Sequence, residues 1–163
     1  RVGEVLVVGG RRRPADAPAW ADWTCDDAVG AGPLAGIATA LRRSRLAETP
    51  RAVLAAACDL PGLGPGLVEA LLAARRPDRP ATACVDPATG RLQPLAAVYE
   101  TDAIDHLLAA LAAGRRSGTA WLDDAGAARA DMPRALAGQL ANLNTPEELA
   151  EWARTRFKRS RQT

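Results

Sequence analysis

The sequence predicts an α/β domain built in three layers around a mainly parallel sheet. Three observations carry that expectation. Short apolar runs of strand length alternate with segments whose apolar residues recur at helical spacing. Alanine, leucine and valine do the packing, since aromatics are only 4% of the chain. A length of 163 residues suits one domain with a substantial core, read here as residues 1–163 without internal repeat or linker.

The elements follow in order. Glu4–Val8 is a short apolar run closed by Gly9-Gly10 and reads as a buried strand. The triplet Arg11, Arg12 and Arg13 reads as a solvated loop, and Trp23-Thr24-Cys25 as a short strand. Gly32-Pro33 then opens a helix, because proline at the first helical position loses an N–H that has no partner there. Leu34, Ile37, Ala38 and Leu41 give that helix its apolar face, with Arg42 and Arg43 near its end. Residues 51–58 predict a strand buried on both faces. A helix starts at Gly64-Pro65, with Val68, Leu71 and Leu72 toward the core and Arg75 and Arg76 at its end.

Residues 81–85 and 95–99 predict two strands that pair or lie close, joined across the turn-forming stretch 86–90. Thr101 is placed to cap a helix carrying Ile104, Leu107, Leu108 and Leu111, which Gly114 ends. Residues 119–124 predict a shorter helix and 128–132 an edge strand. Thr145-Pro146-Glu147-Glu148 is a capping box with proline at the first helical position. The helix it opens carries Leu149, Trp152 and Phe157.

Charge and cysteines bound the function. A formal net charge of +2 is too small to argue for nucleic acid or an anionic membrane. No apolar run approaches the about 18 residues of a spanning helix. Cys25, Cys58 and Cys84 are odd in number and widely spaced, so they form neither a disulfide framework nor a metal pair. Buried reduced thiols in a cytoplasmic protein are the expectation.

Four stretches carry candidate chemistry. Asp59 follows an apolar strand and precedes Leu60-Pro61. Ligand sites in open α/β sheets lie beyond the carboxyl ends of strands, and a carboxylate there suits Mg²⁺, which takes one or two carboxylates and completes its shell with water and phosphate oxygens. A helix cap or turn aspartate is the alternative. Asp26 heads the glycine-rich turn into the first helix; a carboxylate there can accept both N–H groups on one edge of guanine, or build the loop. That turn and helix start also make a natural anion seat. Gln93, Asn142 and Asn144 place uncharged hydrogen-bonding groups where they can hold a polar heterocycle or satisfy loop backbone. His106, the sole histidine, lies in an apolar helical pattern and receives no catalytic role.

Taken together, Asp26, then Gly32-Pro33-Leu34-Ala35-Gly36-Ile37, then Ala57-Cys58-Asp59-Leu60-Pro61, then Gln93-Pro94-Leu95, then Asn142-Leu143-Asn144-Thr145-Pro146-Glu147-Glu148-Leu149, resemble the molybdenum cofactor guanylyltransferase (MobA) family. The resemblance covers essentially the whole chain. It implies a Rossmann-like nucleotidyltransferase fold and transfer of GMP from GTP to the phosphate of molybdopterin, with release of pyrophosphate. By motif match it implies Asp59 as the catalytic Mg²⁺ ligand. Asp26, Gly32, Pro33 and Leu34 would contact the guanine nucleotide. Gln93, Pro94, Asn142 and Asn144 would lie toward molybdopterin. A molybdoenzyme or its chaperone is an implied partner.

The chain departs from the family in one respect. Nothing in it matches the family's opening strand, its Leu-Ala-Gly-Gly phosphate loop and the lysine that follows. Val7-Val8-Gly9-Gly10 fits the family's second strand better. The expectation is a fold lacking its first strand and helix in the visible chain, that segment lying upstream of Arg1, with open edges on the two strands that would flank it. Two alternatives remain at this point: a MobA-like transferase using CTP or a sugar-phosphate acceptor, and a non-catalytic binding domain of the same fold.

Overall fold

A computed structural model describes residues 4–9, 13–15, 17–25, 32–46 and 52–159, the last with side chains through residue 155. Strands β1 (Leu6–Val8) and β2 (Asp22–Thr24) pair in parallel as a two-stranded sheet. Strands β3 (Ala52–Ala56), β4 (Ala81–Val85), β5 (Leu92–Glu100) and β6 (Ala128–Ala130) form a second sheet in the order β3-β5-β4-β6. In that sheet β3, β4 and β6 run the same way, and β5 alone is reversed against both its neighbours. Among the described residues two of its three pairings are antiparallel, so this sheet is mixed and not mainly parallel as expected, although the expected pairing of the 81–85 and 95–99 strands holds.

The four-stranded sheet is covered on both faces. Alternate residues of β4 and β5 point to opposite sides, as the strand repeat requires. Ala81, Ala83, Ala97 and Tyr99 join Leu34, Ile37 and Leu41 of α1 (Pro33–Arg45), Ile104 and Leu107 of α3 (Ile104–Ala112), and Trp121 and Leu122 of α4 (Gly118–Asp124) in one core. Cys84, Ala96 and Val98 join Leu67 and Leu71 of α2 (Pro65–Ala73), together with Leu60 and Leu140, in the other. These are the three layers expected. The last helix, α5 (Pro146–Arg159), opens on the predicted capping box: the Glu148 N–H donates to Thr145 Oγ1 at 3.1 Å, and Glu148 Oε2 accepts from the N–H of Thr145 at 3.1 Å and of Asn144 at 2.7 Å. Among the described residues no helix is long and apolar enough to cross a membrane.

Several expectations are corrected. Strand β3 is half-buried with Ala56 exposed, not buried on both faces: among the described residues it is an edge strand, paired with β5. On α2, Leu67 and Leu71 are buried while Leu72 is 39% exposed, so the apolar face lies one residue earlier than predicted. Arg75 lies just beyond α2, where it forms a two-pronged pair with Glu100, both N–O distances 2.6 Å. Thr101 makes no side-chain cap; it is buried in a 3-10 turn (Thr101–Ala103) that leads into α3. The cap missed was Ser117, whose hydroxyl accepts from the Ala120 N–H at 3.2 Å. A 3-10 stretch, Arg134–Leu140, was also not foreseen.

The cysteines divide unevenly. Cys84 is buried between β5 and β6, but Cys25 and Cys58 are exposed, so burial holds for only one thiol. Burial pushes the Cys84 thiol up to about 11, which keeps it protonated at neutral pH. Since the thiolate is the reactive form, a thiol reagent at pH 8 is expected to modify Cys25 and Cys58 in the native protein and to reach Cys84 only after unfolding. Mass mapping of the labelled peptides checks this. Labelling of Cys84 as fast as Cys58 would contradict the packing.

Candidate active site

The reversal of β5 decides where the chemistry gathers. Because β3 and β4 run against it, their carboxyl ends stand beside its beginning. The ladder runs out at Ala56 opposite Ala96, and the Ala57 N–H then donates to the Leu95 carbonyl at 3.0 Å. Asp59 lies in the turn just beyond β3, at the same end as Gln93 and Pro94. This is the end at which open α/β sheets bind ligands.

That turn is held from the far end of the chain. The Leu143 N–H donates to the Asp59 carbonyl at 2.9 Å, and the Gly64 N–H donates to Gln139 Oε1 at 3.0 Å. Asn142 and Asn144 flank Leu143 and are exposed, while Leu143 itself is half-buried. An extended segment with this alternation turns one residue inward and shows the two amides to solvent beside Asp59. The Gln139 contact was not legible from sequence, because it joins two loops through a single side chain.

Asp59 carries the most informative atom of the site. Its Oδ1 is buried and has no hydrogen-bond partner among the described residues. A buried carboxylate oxygen without a partner is unfavourable, and native structures keep few of them without a functional reason. A divalent cation satisfies such an oxygen directly. Among the described residues no three of His, Cys, Asp or Glu gather into a cage. One carboxylate with an unpartnered oxygen is a donor that suits Mg²⁺, which takes one or two carboxylates and completes its shell with water and phosphate oxygens.

The start of α1 enters from the side. Gly32 is its N-cap with φ +77° and ψ −172°, a region essentially confined to glycine. Among the described residues no side chain caps this end and no acidic residue occupies its first turn, which leaves the helix dipole for an anion. Gly32 and Pro33 are exposed, while Leu34 is fully buried and anchors the turn. The start of α4 closes the group. A Cβ placed on Gly118 would stand 2.7 Å from Pro94 Cβ and 4.0 Å from Leu34 Cδ2, so β5, α1 and α4 meet there.

Not every candidate is free to contact a ligand. Asp26 lies outside the described residues. Gln93 is half-buried. The Thr89 hydroxyl and Ala88 N–H hold the Asp86 carboxyl below the usual carboxylate range, and the Gln93 amide adds to their effect. The His106 ring lies tilted against Trp121, 5.5 Å between ring centroids. A hollow along α5 is lined by Leu143, Trp152, Thr155, the carboxylates Glu147, Glu148 and Glu151, and Arg154, which pairs with Glu151.

The family described as "MobA-like NTP transferase domain" matches residues 1–142. A Chloroflexus aggregans protein named "Probable molybdenum cofactor guanylyltransferase" is 35% identical over 156 residues, covering 90% of this chain and 70% of that protein. A Mesorhizobium japonicum protein named "Molybdenum cofactor guanylyltransferase" is 36% identical over 131 residues, covering 76% of this chain and 61% of that protein. The crystal structure of molybdopterin-guanine dinucleotide biosynthesis protein A from Archaeoglobus fulgidus superposes with a TM-score of 0.62 at 25% identity, covering 80% of this chain and 66% of that one. A protein of Aquifex aeolicus VF5 shares the fold, with a TM-score of 0.65 at 24% identity, over 77% of this chain and 63% of that one.

Proposed function

Since the chain belongs to the MobA-like NTP transferase domain family of nucleotidyltransferases, we propose that the protein carrying it transfers GMP from GTP to molybdopterin, with Mg²⁺, and releases pyrophosphate. The observation that supports this best is the meeting of the described motif segments at one end of one sheet, with an unpartnered buried oxygen on Asp59 among them.

Two phosphate groups must approach each other in this reaction, so repulsion is the first obstacle. Mg²⁺ on Asp59 would supply positive charge against the α-phosphoryl group and the departing pyrophosphate. The residues of the chain do the holding. The start of α1 receives the nucleotide against Gly32, Pro33 and Leu34, with the helix dipole and the backbone N–H groups other than that of Pro33, which has none, toward the phosphates, and Asp26 accepts from the guanine edge. Pro94, Asn142 and Asn144, with Gln93 behind them, border the acceptor. No residue is required to form a covalent intermediate: acceptor oxygen, phosphorus and leaving oxygen need only be aligned and their charge balanced.

The test is calorimetry of GTP and CTP with Mg²⁺, followed by pyrophosphate release with molybdopterin as acceptor. The expected result is binding of GTP in preference to CTP, with release only when molybdopterin is present. A preference for CTP would move the assignment to cytidylyl transfer. Binding of neither nucleotide would overturn the transferase reading.

A further inference from the structure

The start of β5 leaves the ladder. Ala97 faces Ala83, but Leu92 faces Val85, so Cys84 alone on β4 stands against residues 93–96 on β5. The surplus is a bulge at Gln93, Pro94 and Leu95. Proline belongs there, since in an interior strand it is tolerated at bulges, where its missing N–H breaks no ladder bond. Bulges of this kind re-aim side chains beside active sites.

A bulge releases carbonyl groups that must find other donors. Leu95 O accepts from the Ala57 N–H at 3.0 Å, and Leu92 O accepts from the Thr119 hydroxyl at 3.2 Å. Pro94 O accepts from the hydroxyl of Tyr99, further along the same strand, at 2.8 Å. The Tyr99 ring is fully buried and tilts against Trp121 at 5.9 Å. Burial pushes its phenol up, so it stays a donor across any assay range. From the opposite flank Gly118 closes on the proline ring, with room for no side chain of its own.

We propose that Tyr99 is a positioning residue for the acceptor: its hydroxyl, opposed by Gly118, holds the Gln93–Leu95 bulge at the site. The inference rests on the transferase reading above and adds the means by which one side of the site is set. A phenylalanine would fill the same core volume, so the hydroxyl matters only through the Pro94 carbonyl. The start of α1 does not depend on that bond.

The experiment is Tyr99→Phe in the full protein, with Gly118→Ala as a second variant that displaces Pro94 from the other side. The readouts are KM for molybdopterin, KM for Mg·GTP, kcat and Tm. Tyr99→Phe is expected to raise the molybdopterin KM by roughly fivefold to tenfold, the worth of one hydrogen bond, and to leave the Mg·GTP KM and kcat within about twofold. Gly118→Ala is expected to show the same split. Equal weakening of both substrates, or a lower Tm with neither KM moved, would overturn the proposal and leave the transferase reading standing. Absence of transfer by the wild-type protein would remove that reading, and the proposal with it.

Discussion

Asp59→Asn is expected to lower turnover by on the order of 10²–10³-fold, the usual cost of removing one preorganised charge partner from a transition state. The folded protein should be no less stable for the change. Oδ1 of Asp59 is buried and makes no hydrogen bond among the described residues, so the amide replaces an atom that stabilises nothing in the ligand-free fold. The turn itself is held by the Asp59 backbone carbonyl and by Gln139 on Gly64, both of which the substitution leaves in place. Tm is therefore expected to stay level or rise, and the rise in Tm that the proposed function predicts for the wild type with Mg²⁺ and GTP is expected to be lost. Loss of activity with gain of stability is the signature of a residue kept for function. A variant that turns over within about tenfold of wild type would remove Asp59 from the chemistry. One that unfolds instead would make it a structural turn residue.

Trp121→Ala is the substitution expected to cost the most stability, about 3–5 kcal/mol in a urea titration. Trp121 is 1% exposed and is the largest of the fully buried side chains. It lies between Tyr99 and His106, with ring centroids at 5.9 and 5.5 Å, and it backs the core shared by α1, α3, α4 and the sheet. Alanine leaves a cavity that α4, a helix of only seven residues, cannot close without losing its place beside Pro94. In a domain of this size the loss corresponds to a fall in Tm of about 10 °C or more. Trp121→Phe is the control. The indole N–H finds no partner among the described residues, so phenylalanine removes an unsatisfied donor while keeping most of the packing, and about 1–2 kcal/mol is expected. A cost below about 1 kcal/mol for the alanine variant would show that this core rearranges around the ring.

Most elements and the candidate residues were legible from local signals in the chain, though the 3-10 stretch Arg134–Leu140 and the Ser117 cap were not. Helix starts at Gly32-Pro33 and Thr145-Pro146 were legible because caps and proline effects act within one turn of the chain. The buried face of α1 was legible because four residues at helical spacing leave one solution. The motifs pointed to one family, and the family match bears that out.

Only the tertiary structure decided which of these residues meet. Leu143 holds the carbonyl of Asp59, Tyr99 holds that of Pro94, and Gly118 admits the proline ring. The exposure of Ala56 likewise follows from the edge position of β3 among the described residues. The reason is range: periodicity and capping are interactions between near neighbours in the chain, whereas the bulge, the sheet edge and the Asp59 turn are fixed by hydrogen bonds and contacts that exist only once distant segments have packed.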